Sequence, residues 1–242
     1  MRTILQKELQ GFLDSPIAYV AIAVFLTGMG LFTWVFPETN VMDYGFAEMD
    51  PTFTMAPYVY LMLIPAITMR SFADEKRTGT LELLLTKPIT EWDLVLGKFW
   101  ASVLLVVLSL LPTLVYYFSV YTLGEPKGNI DSAAVAGSYI GLLLLGAVFC
   151  SIGLFASALA ESQVTAFILA VALCFLLHSG FSSFAGINVW GPLAPIVTKI
   201  GISYHYQALS KGLIDSRNVL YLASISAGFL VATRLTLQSR NW

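Results

Sequence analysis

The sequence predicts an all-α polytopic membrane protein with six transmembrane helices. An amphipathic helix precedes the first, a charged inner loop joins the second to the third, and short re-entrant helices precede the sixth. Three observations predict this. Hydrophobic residues make up 57% of the 242 and charged residues only 12%, against roughly 25% charged in a soluble domain. The charges are clustered, which leaves uncharged runs at 15–37, 51–69, 99–124, 132–160, 162–198 and 218–233. A helix rising about 1.5 Å per residue crosses about 30 Å of hydrocarbon in about 20 residues, and five of these runs reach or approach that length.

The elements follow in order. Residues 1–14 carry Ile4, Leu5, Leu9, Phe12 and Leu13 at helical spacing, with Thr3 and Gln6 placed as a capping box, which predicts a helix lying on the inner membrane surface. Pro16 then turns the chain into a span at 17–36, bracketed by Tyr19 and Trp34 as interfacial aromatics. The second span is placed at 54–70 and the third at 99–121, the latter bracketed by Trp100 and Tyr121. The fourth, 134–158, contains Gly137 and Gly141 at the spacing that lets helices approach closely, read as packing within one bundle. A fifth span occupies 162–184; two spans and a turn need about 40 residues, more than the run 162–198 offers. Residues 185–217 are apolar yet interrupted by Gly186, Gly191, Pro192 and Pro195, which predicts short helices dipping into the outer leaflet under protein cover. The last span, 218–235, lies in the shortest run, where Arg217 and Arg234 can snorkel to the interfaces. No domain boundary or repeat interrupts the chain, so 1–242 is read as one domain.

Basic residues set the orientation. Arg2, Lys7, Arg70, Lys76, Arg77, Lys87, Lys98, Arg234 and Arg240 fall on one side, against Lys127, Lys199, Lys211 and Arg217 on the other, which places both termini inside. A net charge of −2 with no basic block excludes nucleic acid as an expected partner. Cys150 and Cys174 sit within apolar runs and are read as buried thiols. The first apolar run is of full span length after a polar helix, unlike a cleavable signal peptide.

Chemistry is sparse. The sequence has no G-x-x-x-x-G-K-[ST] phosphate loop, no H-E-x-x-H and no G-x-S-x-G. His178 and His205 have no second ligand at metal spacing and are read as hydrogen-bonded structural side chains. No ionisable acid or base sits in mid-span, where an ion-coupled transporter would need one. The expectation is a non-catalytic chain with no metal or nucleotide site of its own. Ser102, Ser109, Thr113, Ser119 and Ser151 are the hydroxyls that could line a polar pathway.

The inner loop 71–98 is the informative segment. Asp74, Glu75, Lys76 and Arg77 form a mixed charge cluster, Gly79 breaks it, Leu81–Leu85 is an apolar strip ended by Pro88, and Thr90 with Asp93 offers a capping box for the next helix. An interfacial amphipathic segment would have the same composition. The stretch "DEKRTGTLELLLTKPITEWDLVLGK" resembles the inner-loop signature of ABC-2 type transporter permeases. "KELQGFLDSPIAYV" and "ALSKGLIDSRNVLYL" are similar to that family's first and last segments. The resemblance covers the whole chain and is nearest to the gliding-motility-associated permeases, with the nitrous-oxide-reductase maturation permeases as relatives.

The resemblance implies a permease half-subunit of an ATP-driven exporter in a bacterial cytoplasmic membrane. It would pair with a second permease, identical or homologous, the gliding-motility likeness implying a larger one, and with two copies of an ABC ATPase that hold the ATP and Mg. Its inner loop would be a coupling helix, which carries the ATPase contact onto Asp74, Glu75, Lys76, Arg77, Thr78, Gly79, Thr80, Leu81 and Glu82. A minor contact falls on Glu161, Ser162 and Gln163, where Ser162 replaces the family's usual Asn. The alternatives are an anchor or mechanical scaffold of a motility or secretion machine without solute transport, or a permease for a drug, a polysaccharide or copper-enzyme maturation.

Overall fold

The computed structural model describes residues 1–43, 45–80, 90–186 and 194–239. These form helices α1 (Arg2–Leu13), α2 (Pro16–Trp34), α3 (Asp50–Thr68), α4 (Ala73–Arg77), α5 (Glu91–Leu110), α6 (Leu114–Leu123), α7 (Ser132–Leu159), α8 (Gln163–Phe175), α9 (Phe181–Ala185), α10 (Ala194–Ile200), α11 (Ile202–Leu209) and α12 (Ser216–Gln238). Among the described residues, six helical stretches are long and apolar enough to cross a membrane: α2, α3 with α4, α5 with α6, α7, α8 with α9, and α12.

Helix α7 is the axis of the bundle. In its most apolar window 72% of residues are buried, against 22% for α2, for α8–α9 and for α12 on the periphery. Lipid solvates leucine as well as another helix does, so close van der Waals packing replaces the hydrophobic effect as the force between spans. Small residues make that approach possible. A Cβ at Gly137 would lie 2.7 Å from the Gly212 backbone, and one at Gly141 would lie 2.7 Å from Leu209 Cβ. The pair therefore seats the turn after α11 inside the same bundle, as the sequence reading had it.

The remaining core is aromatic and aliphatic, with Phe25 stacked on Tyr60 (centroids 5.7 Å) and Phe53 edge-on to Tyr139 (5.1 Å). Most buried serine and threonine hydroxyls bond to the preceding turn of their own helix, as Thr68 does to Ile64 O (2.9 Å), which satisfies the donor without a second helix, whereas the buried Tyr60 hydroxyl has no partner among the described residues. The α9–α11 region is tied down by Tyr206, which donates to Phe53 O (2.7 Å), and by Ser138, which donates to Ser210 O (2.8 Å). Gly191 and Pro192 fall outside the described residues.

Several local expectations change. Helix α5 begins at Glu91, eight residues before the expected start of the third span. Thr90 caps it by accepting from Asp93 N (3.1 Å), while its hydroxyl donates to Asp93 Oδ2 (2.6 Å). A 3-10 turn, Leu111–Thr113, divides α5 from α6 at Pro112, whose missing N–H interrupts the α ladder. Thr3 and Gln6 form no capping box. Helix α1 starts one residue before Thr3, and the Met1 ammonium pairs with Asp93 (3.4 Å). His178, on a π turn at Leu176–Gly180, is buried against the rings of Tyr58, Phe149 and Tyr206, and its Nδ1 has no partner among the described residues, so it is not the hydrogen-bonded histidine expected. His205 is: its ring nitrogens lie 2.8 Å from Asn218 Oδ1 and 2.9 Å from Lys199 O. Cys150 and Cys174 are buried and free.

Two glycines test the packing. Gly137→Ala drives a methyl into backbone and should lower stability by about 1–3 kcal/mol. Gly11→Ala has open space around it and should be neutral or stabilising by up to ~1 kcal/mol. Thermal unfolding of both variants in detergent checks the difference.

Candidate functional site

Met1, the end of α12 and the loops that follow α3 and α7 gather at one end of the bundle. Arg234 near the C-terminus pairs with Glu91 (3.1 Å) beside the start of α5, where Met1 also pairs. The charged loop is built on this end.

Its first part is α4, five residues long, far too short to be stable alone. Helix α7 supplies what α4 lacks. Ser157 Oγ accepts from the backbone N–H groups of Phe72 (3.0 Å) and Ala73 (3.1 Å) and donates to Met69 O (3.1 Å), which caps α4 from a different helix. In return Lys76 Nζ donates to Ala158 O at the C-terminal end of α7, where cations are favoured. Ala73 packs with Ala160, Ala166 and Met69, small enough to seat the two loops together. Gln163 Nε2 donates to Asp74 Oδ1 (2.6 Å), joining α4 to the first residue of α8.

Beneath α4 lies a buried charge cluster. Lys98, in α5, is 1% exposed. Its ammonium has three protons and three partners: Glu8 Oε1 of α1 (2.7 Å), Glu75 Oε1 of α4 (2.9 Å) and Ser71 O (2.7 Å). It also stands 5.1 Å from the Phe72 ring centroid. Glu75 Oε1 accepts from Lys7 as well (3.2 Å), while Glu75 Oε2 is buried without a partner among the described residues. Removing either sign would strand the other out of water, so the cluster holds α1, α4 and α5 as a unit. Two neighbours extend it. Arg70 donates to Ser15 Oγ at the α1–α2 elbow (2.7 Å), and Gly97 lets α1 lie against α5, since a Cβ there would come within 2.9 Å of Ile4.

The residues singled out from the sequence divide accordingly. Asp74, Glu75 and Lys76 are committed to internal partners, and Glu75 keeps only 12% of its side chain exposed. Arg77, whose side chain is 64% exposed, and Thr78, Gly79 and Thr80 face outward. Arg77 bonds Asp74 (3.3 Å), and Gly79 adopts φ +69, a turn conformation other residues resist. Leu81 and Glu82 lie outside the described residues. Glu161 is exposed, Ser162 caps α8 by accepting from Thr165 N (3.1 Å), and Gln163 reaches Asp74.

The five hydroxyls do not gather along one surface. Ser102, Ser109, Thr113 and Ser151 are buried within the bundle, bonded to Lys98 O, Leu105 O, Leu110 O and Val148 O, and half-buried Ser119 bonds Val115 O. The residues that hold the site together, Glu8, Lys98, Arg70 and Ser157, were not singled out. A signal existed for two: Glu8 interrupts the apolar stripe between Ile4 and Phe12, and Lys98 lies one turn beyond buried Leu94.

A family model described as ABC-2 family transporter protein matches residues 2–210, and no curated protein matches the chain. The match takes in α1 through α11 and therefore the whole charged end except the close of α12.

Lys98→Met should lower stability by about 3–5 kcal/mol by stranding Glu8 and Glu75. Combining it with Glu75→Gln should be less than additive, with a coupling of about 0.5–3 kcal/mol. A double-mutant cycle read by thermal unfolding checks this, and strict additivity would remove Lys98 from the centre of the site.

Proposed function

The chain belongs to the ABC-2 family of transporter proteins, membrane permeases that work with an ABC ATPase, and from that premise we propose how this one takes up force. It is one permease half of an exporter in a bacterial cytoplasmic membrane, with both termini inside. A second, homologous and larger permease completes the pathway, and two copies of the ATPase hold the ATP and Mg. The chain itself catalyses nothing. By the sequence likeness described above, the system serves gliding motility.

The observation that carries this reading is the docking of α4. Its outward edge, Arg77–Thr80, is the ATPase contact, and its inward edge is bonded to α1 and α5 through Glu75, to α7 through Ser157 and Lys76, and to α8 through Gln163. A displacement of the exposed turn therefore reaches several helices at once, because groups held by short charge-assisted bonds move together rather than sliding. Closing of the ATPase pair tilts these helices relative to the partner permease.

Arg77→Glu combined with Gly79→Pro reverses the exposed charge and imposes a φ near −65° where the turn needs +69. The variant should insert and fold, yet lose the ATPase on gentle co-purification from native membranes and lose ATP hydrolysis in the eluate. Full retention of both would overturn the assignment of this turn. For the orientation, Ser239→Cys, exposed past the end of α12, should react with an impermeant maleimide only after inside-out vesicles are prepared. Labelling in intact cells would reverse the topology.

A further inference from the structure

We propose that the cleft beside Lys98 binds the headgroup of a zwitterionic aminophospholipid, phosphatidylethanolamine. The cleft has a volume of about 220 Å³ and lies between α1, the end of α3, α4 and α5. Its charged lining is balanced: Lys7, Arg70 and Lys98 against Glu8, Asp74 and Glu75. A net anion or a net cation would upset that balance, whereas a zwitterion keeps it.

Two groups on this lining are left with capacity, and they have opposite sign. Glu75 Oε2 is buried with no donor among the described residues, an expensive state for a carboxylate oxygen. Arg70 makes one bond, to the neutral Ser15 hydroxyl, and no ion pair among the described residues, although its guanidinium carries five donors. A turn of the Glu75 carboxylate about its soft terminal torsion opens Oε2 to the cleft, where an ethanolamine ammonium donates to it, and the phosphate accepts from Arg70, with Lys7 at the mouth. A choline headgroup has no N–H to give, so it cannot satisfy the carboxylate. Glycerol headgroups can donate, but they bring an uncompensated negative charge.

The rest of the lining decides for a lipid over a soluble phosphoethanolamine. Phe12, Ile67, Ala101 and Leu105 continue the cleft as an apolar wall, on the side of a helix whose own apolar stripe seats it at the membrane surface. This inference needs only the membrane placement of the chain and is independent of how the ATPase docks.

The test is native mass spectrometry on the delipidated full chain in detergent, offered equal amounts of phosphatidylethanolamine, phosphatidylcholine and phosphatidylglycerol. Wild type should retain the ethanolamine lipid roughly tenfold over the other two. Gly11→Leu grows a side chain from open space on the cleft wall and should abolish the preference without lowering the thermal midpoint. Arg70→Gln should reduce the preference without removing the fold. Equal retention of the three lipids by wild type, or a preference that survives Gly11→Leu, would overturn the proposal. Displacement of the lipid by glycerophosphoethanolamine at similar concentration would overturn its lipid half, making the site one for a soluble headgroup.

Discussion

A lysine ammonium that has lost its water is tolerable only when every proton has an acceptor, and Lys98 meets that condition with no acceptor to spare. Its three partners come from α1, from α4 and from the segment between α3 and α4. Each of these would otherwise be loose: α1 is a single peripheral helix, and α4 is barely more than one turn. The ion cluster thus converts three marginal pieces into one body. Buried pairs of this kind add little net stability compared with apolar packing, but they tolerate few alternative arrangements. Specific geometry, more than strength, is what the charged end obtains from them.

The opposite end of the molecule is organised by a different constraint. In α7, glycines, alanines and serines replace bulk with proximity, so the turn after α11 lies on its backbone and α3 and α12 pack along it. Dispersion contacts of this sort have no preferred partner by chemistry, only by shape. One end is therefore fixed by charge and the other by steric fit. The long helices between them transmit position from one to the other.

That division bears on how a permease can move. The exposed turn Arg77–Thr80 follows directly on α4, which is bonded to α1, to α7 and to the first residue of α8, whereas α2, the rest of α8–α9 and α12 present mostly exposed apolar faces. Lipid or a second permease covers such faces with little change in energy between positions, so relative motion is cheapest there. Stiffness is concentrated where force is proposed to enter, and slip is available where spans are proposed to shift.

The sequence by itself determined the number of spans, the burial of both cysteines, the cap at Thr90 and the position of the charged loop. Each depends on local composition or on periodicity along one helix, which lipid and the backbone enforce without reference to the rest of the chain. Glu8 and Lys98 were visible only as interruptions in apolar stripes. Their pairing spans 90 residues, and nothing local distinguishes a snorkelling lysine from one buried against a carboxylate. Glu75 carried the same ambiguity, readable as a surface charge until the fold turned it inward. The break at Pro112 and the bare Nδ1 of His178 were likewise settled by packing. Only the tertiary structure decided which charges face out, because a charge's energy depends on the distance to its partner and on the water left around both.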